Sequence, residues 1–226
     1  MLDGDTLLDL CQRGSGHGAL VRAALLGELV AGAEAGATLS LGELDRRIWR
    51  SRAEDLSAAN LPLAADAVCD CPHCGARLEF SLPADFAPPE PVADSAEIEW
   101  AGRTYPLRMP TLADFGPLGL RLAQLGDGCW EDPAFAARAG EALQASDPAL
   151  GLDLALACPD CGAEFAESFD PAGFFWAELE DQAARLLTDI MRLAGAFGWS
   201  EREILGLSPA RRALYIGQLD AAGAGI

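Results

Sequence analysis

Apolar residues at helical spacing at both ends of the chain, two strand–turn–strand stretches built on the same C-P-x-C-G-A motif, and an alternating hairpin pattern between them predict an α+β fold that is mostly α. Half of the 226 residues are hydrophobic, so the chain can bury a core of its own. The expected organisation is an N-terminal helical lobe over 1–60, a ribbon carrying both motifs over 61–170 with an insertion at about 83–150, and a C-terminal helical docking unit over 171–226.

From Asp5 to Leu56 the pattern is helical, with Leu20, Ala24, Leu25 and Leu29 on one face and Gly14, Gly16 and Gly36 as breaks. Ser40 and Glu43 have the spacing of a capping box, so a helix opens there and runs to about Leu56. Val68 to Leu82 reads as strand, CPxCG turn, strand, because Leu78, Phe80 and Leu82 alternate with Arg77, Glu79 and Ser81. The proline- and acid-rich PADFAPPEPVADS that follows predicts an extended surface connector. EIEWAGRTYPLRM predicts a hairpin: Ile98 and Trp100 alternate with acids, AGRT supplies the turn, Tyr105, Leu107 and Met109 resume the alternation, and Pro106 marks an edge strand. Thr111 with Asp114 predicts a helix to about Leu125, and another helix is expected over Pro133 to Ala145.

Leu150 to Phe169 repeats the strand, CPxCG turn, strand pattern. A long helix from Pro171 presents Phe174, Phe175, Leu179, Leu186, Leu187, Ile190 and Leu193 as a broad apolar face and stops at Gly198. Ser200 with Glu203, and Ser208 with Pro209 at the first helical position, start two short helices; the second carries Arg211, Arg212 and Tyr215.

Net charge is −19, and all 16 cationic residues are arginine. A field of that sign repels phosphate, so neither nucleic acid nor an anionic membrane is an expected partner. The apolar run Ala19 to Ala33 is broken by Arg22 and Glu28 and falls short of the roughly 20 residues of a membrane span. The opening MLDGDTLLDLCQRG is acidic where a secretory signal would be basic, so synthesis in the cytoplasm is expected. The two histidines, His17 in GSGHGA and His73 between two cysteines, assemble no Ser-His-Asp or His-metal set. No catalytic residue is assigned; the chain is expected not to be an enzyme and to take no small-molecule substrate.

Four of the seven cysteines lie in CPHCGARLEF at 71–80 and CPDCGAEFAE at 158–167. In such a knuckle the two thiolates face one side of a tight turn, and the glycine after the second cysteine lets the backbone close beneath a metal. Two knuckles make a tetrahedral site from Cys71, Cys74, Cys158 and Cys161, for which one structural zinc is the default. Residues 75–157 separate the knuckles, 83 residues against the roughly 15–20 of a compact ribbon. The fold expected is therefore a split four-cysteine zinc ribbon with a helical and hairpin insertion, flanked by N-terminal and C-terminal helices. Cys69 is a rival ligand two residues before Cys71, but the repeat assigns the role to Cys71. Cys11, Cys69 and Cys129 are expected as buried small hydrophobes. A redox C-x-x-C would open a helix in a βαβ pattern, and neither copy does.

Taken in order, CPHCGARLEF, YPLRMPTLADF, LALACPDCGAEF and LLTDIMRLAGAFGWSEREILGLSPARRALYI resemble the baseplate proteins of T-even-like phage tails and related contractile injection systems. The resemblance covers most of the chain. GWSEREILGLSPARRALY is similar to that family's signature, and the paired CPxCG units resemble its zinc-ribbon-bearing members. The resemblance implies zinc occupancy and a structural hub or wedge component that binds neighbouring baseplate or tail proteins during assembly and is incorporated in a phage-tail-like particle. In physical terms the signature suits docking: Trp199, Ile204, Leu207 and Tyr215 pack the short helices onto the long one, and Arg211 and Arg212 stay available to an acidic partner surface. Trp199, Arg211, Arg212 and Tyr215 are thus the candidate partner-binding residues, although the same set would also serve simply to close a core. The alternatives are an assembly factor absent from the finished particle, a zinc-ribbon regulator of transcription, and a thiol-disulfide protein.

Overall fold

The computed structural model describes residues 2–58, 62–116 and 119–223. It is α-rich, 55% helical and 18% strand, with strands paired among the described residues as four separate two-stranded antiparallel sheets. None of the described helices is long and apolar enough to cross a membrane. The chain forms two compact units, one spanning Gly18–Phe175, the other joining Leu2–His17 to the chain from Trp176 onward.

In the first unit, α2 (Ala19–Ala31), α3 (Ala33–Thr38) and α4 (Leu41–Ala58) precede the strands. The break between α2 and α3 falls at Gly32, which has φ +84°, and not at Gly36. Gly36 lies inside α3 because the two helices touch there: a Cβ on it would sit 2.5 Å from the carbonyl group of Gly27. Ser40 opens α4 as expected, its Oγ accepting from the Glu43 N–H at 3.3 Å.

Strands β1 (Ala65–Asp70) and β2 (Arg77–Leu82) form the first hairpin, with Val68 opposite Glu79 and Cys69 opposite Leu78. The second copy, β7 (Asp153–Ala157) with β8 (Glu164–Ser168), pairs Leu156 with Phe165. The inward positions of both hairpins meet in one small core of Cys71, Leu78 and Cys158, flanked by Cys69, Ala76 and Phe165. A second core joins Trp49 of α4 to Ala65 and Leu82, with Phe80, Phe86, Phe169 and Phe174 against it. Phe86 comes from the proline-rich connector, which is therefore no simple surface strap: its ring packs edge-on to Trp49 at 5.4 Å, and its carbonyl accepts from Trp49 Nε1 at 2.7 Å.

Between the copies lies an insertion with its own core. Strands β3 (Ser95–Trp100) and β4 (Arg103–Arg108) turn through Ala101 and Gly102, at φ +50° and +78°, the two positive values of a type I′ turn. The hairpin packs on α5 (Pro133–Ser146), where Phe135 is fully buried and meets Trp100, Tyr105 and Trp130 edge-on at 5.1–5.7 Å. The helix expected from Thr111 to Leu125 does not form. Thr111 and Asp114 make the capping box, but the turn they cap is a single 3-10 turn over Leu112–Asp114, followed by β5 (Phe115–Gly116), β6 (Gly119–Leu120) and another 3-10 turn over Leu122–Gln124. Gly116, Pro117 and Gly119 follow the cap in sequence, and a proline one turn in removes the amide a helix needs while restricting the residue before it.

In the second unit, α1 (Gly4–Gly14) buries Leu7 and Leu10. The long α6 (Pro171–Phe197) buries Trp176, Leu179, Ala183, Leu186, Ile190 and Leu193 on one stripe. Leu187 is the exception to the expected face: it is 47% exposed, one residue around the helix from Leu186. Gly198, at φ +69°, stops α6, with its N–H bonded to the Ala194 carbonyl. The Ser200/Glu203 capping box then opens α7 (Glu201–Leu205). The last helix, α8 (Pro209–Gly223), is longer than expected, at 15 residues.

Candidate metal centre

Each knuckle is a turn between two strands whose ends are already tied by the ladder. In the first, the Cys71 N–H donates to the Ala76 carbonyl at 2.8 Å and the Gly75 N–H to the Cys71 carbonyl at 2.9 Å; in the second, Cys158 to Ala163 and Gly162 to Cys158 are both 2.9 Å. Gly75 and Gly162 stand at φ +74° and +72° with open space above them, so glycine is needed there for backbone freedom alone. Two sequences 87 residues apart thus fold to the same local geometry, as the repeated motif predicts.

The four thiols converge. Cys71 Sγ lies 3.8 Å from Cys161 Sγ, Cys74 Sγ lies 3.7 Å from Cys158 Sγ, and all four sulfurs are within 4.8 Å of one another. Zinc–thiolate bonds of about 2.3 Å in a tetrahedron separate the sulfurs by about 3.8 Å, so the spacing fits a single ion of that kind. Cys71 and Cys158 are buried and Cys74 and Cys161 exposed, so each knuckle presents one sheltered and one accessible ligand atom. These four cysteines can hold a metal ion.

The electrostatics agree with that chemistry. Burial pushes the Cys71 thiol up, but the backbone N–H groups of Cys74 and His73 and the neighbouring thiols outweigh it and bring it down to about 7. At Cys74 the Ala76 N–H favours the thiolate, yet burial and the thiols of Cys161, Cys71 and Cys158 push it up to about 12. Cys161, with the N–H of Ala163 opposing, is also raised. Four sulfurs this close cannot all ionise unless a cation neutralises them, while the amides around the turns are already placed to support the charged forms.

The remaining cysteines lie outside this set. Cys69 is half-buried beside the thiol core but is not among the converging sulfurs. Cys11 is also half-buried, whereas Cys129 is exposed, its Sγ 3.8 Å from the Tyr105 hydroxyl, and is no buried hydrophobe. It sits in a glycine-rich loop rather than on a periodic apolar face, so no element covers it. His73 is exposed on its turn.

The candidate partner residues gather at the end of α6 and on α8. Trp199 is half-buried, with the Tyr215 ring edge-on to it at 5.0 Å. Arg212 donates to the Leu207 carbonyl at 3.1 Å, in the link between α7 and α8, which leaves Arg211 as the exposed member of the pair. Sequence reasoning missed Phe197, which stacks on Trp199 at 4.8 Å and also contacts Tyr215. Its signal was its place one residue before the helix-stopping glycine, from where a ring folds back over the turn. Met191 and Leu214, 74% and 71% exposed, add apolar surface to these helices. Comparison with protein-family models, with curated proteins and with solved structures returned no match to this chain.

Proposed function

We propose that Cys71, Cys74, Cys158 and Cys161 hold one structural zinc ion, and that the protein is a non-enzymatic structural component of a contractile tail or injection-system baseplate, a hub or wedge subunit that binds neighbouring subunits during assembly. The convergence of the four sulfurs carries the metal half of this reading. Bound zinc would supply two positive charges to a cluster that otherwise resists ionisation; the chain's own part is to fix the ligands on two hairpins and so close the neck of the insertion.

The baseplate half rests on the sequence resemblance, and the character of α6–α8 supports it. Exposed Met191 and Arg211, with the aromatic cluster of Phe197, Trp199 and Tyr215, are residue types that subunit interfaces favour. Elemental mass spectrometry on protein purified without chelator tests the metal: one zinc per chain, lost with Cys158→Ser, is the expected result, and metal-free folded protein overturns it. Proteomic analysis of intact contractile particles from the producing cell tests the role. A stoichiometric subunit is expected, and absence from finished particles overturns the structural reading in favour of an assembly factor.

A further inference from the structure

The first hairpin carries a second feature besides its knuckle. An open cleft of about 600 Å³ lies over β1 and β2, with Val68, Phe80 and Phe174 as its apolar lining and Asp66 and Glu79 as its carboxylates. Val68 is 53% exposed, a β-branched side chain left in water on an outward strand position. Phe174 is fixed from behind, since the Arg52 guanidinium lies 5.5 Å and the Trp49 ring 5.9 Å from its ring. The acids share the outward face with Val68: Glu79 is its direct cross-strand partner, and Asp66 sits opposite Ser81, whose hydroxyl donates to it, while Phe80, opposite Ala67, turns to the other face toward Phe174. Among the described residues no cation lines the cleft. The sheet has two strands, so each strand keeps an unpaired edge among the described residues.

An apolar cleft of this volume framed by carboxylates selects for its opposite. We propose that it binds an extended peptide segment of a partner protein in which arginine or lysine alternates with aliphatic residues. The aliphatic side chains meet Phe80 and Phe174 on one face, and the cations meet Asp66 and Glu79 on the other, where Val68 takes their methylene stems. Added along a free edge of the hairpin, a strand turns successive side chains to opposite faces, so alternation puts every aliphatic side chain on one face and every cation on the other. The chain's charge of −19 steers basic partners toward it and opposes a second copy of itself. This proposal needs only the folded hairpin and stands or falls apart from the baseplate reading.

Amide chemical-shift titration of the full-length protein, at about 0.15 M salt so that distant charges are screened, tests it. The probe is a hexapeptide alternating arginine and valine, compared with one alternating arginine and serine. The arginine–valine peptide is expected to shift the amides of Asp66–Cys69 and Glu79–Leu82. Asp66→Asn with Glu79→Gln should weaken binding about tenfold, and Val68→Ser about fivefold. All three side chains point outward, so the shift dispersion of the free variants should match the parent. Equal binding of the arginine–serine peptide, shifts scattered over the acidic surface, or no shifts at all would each overturn the proposal. So would self-association abolished by Val68→Ser, which would assign the cleft to a second copy.

Discussion

Arg46 on α4 and Asp147 at the end of α5, 101 residues apart in the chain, face each other in a two-pronged ion pair. Nη1 donates to Oδ1 at 2.9 Å and Nη2 to Oδ2 at 3.0 Å, with the side chains 4% and 1% exposed. Arg46 also donates to the Pro89 carbonyl at 2.9 Å, so one guanidinium ties a helix, the connector and the insertion together.

Removing one partner leaves a buried charge uncompensated. Arg46→Met should therefore cost about 3–5 kcal/mol in urea unfolding, whereas Arg46→Met with Asp147→Leu should recover most of the loss.

Next to this pair, Asp45 opposes the fold at neutral pH. Burial pushes its carboxyl up to about 7, with Asp170 adding to the rise, Arg46 opposing it and Asp147 adding further. A carboxyl raised in the folded state contributes stability below its unfolded value near 3.8, and that contribution is lost as pH rises toward 7. Asp45→Asn should thus be nearly neutral at pH 4 and stabilise by roughly 1–2 kcal/mol at pH 8, read as the difference in urea midpoints.

Asp114 behaves in the opposite sense. The Arg108 guanidinium beside it, helped by the N–H and hydroxyl of Thr111, overcomes burial and holds its carboxyl at about 2. A depressed carboxyl stabilises above its unfolded value and loses that contribution as pH falls from about 4 to 2. Melting temperatures of Asp114→Asn should lie below the parent's at pH 7 and converge with them by pH 2.

The type I′ turn of the insertion places a non-glycine residue, Ala101, at φ +50°. Asparagine tolerates that region better than alanine, so Ala101→Asn should raise stability by about 0.5–1 kcal/mol, measured by thermal unfolding.

Stripping metal with a strong chelator should expose the two hairpins selectively. Hydrogen exchange at β1–β2 and β7–β8 is expected to accelerate, while the amides of α5 around Phe135 stay protected by their own core. Unchanged exchange at both hairpins would show that the thiols contribute nothing to holding them.

What could be read in advance follows the range over which each cause acts. The knuckles, the hairpin turn at Ala101–Gly102, the Ser40 and Ser200 caps and the stop at Gly198 depend on residues within one turn of each other, and all formed where the sequence placed them. Thr111 and Asp114 show the limit of such reasoning: the cap forms, but the turn it opens ends at Asp114, ahead of Gly116 and Pro117, because a cap starts a helix without guaranteeing its continuation. Gly36 has the look of a break in sequence, but what requires glycine there is the backbone of Gly27 on another helix. Likewise nothing local to Arg46 or Phe86 announces Asp147 or Trp49 as its contact. The pairing of the two knuckles was the one long-range contact that could be read, because a shared chemical requirement links them.

The insertion leaves the rest of its unit at a neck where four sulfurs converge, carries its own core around Phe135, and is fastened to α4 a second time through Arg46 and Asp147. Chain entropy makes such an arrangement tolerant, since doubling the length of a closed loop costs only about 0.6 kcal/mol. Loops of the segment between the knuckles can therefore change length at little cost, whereas a different domain grafted at this neck would have to bring its own carboxylate for the buried Arg46 guanidinium that Asp147 now satisfies.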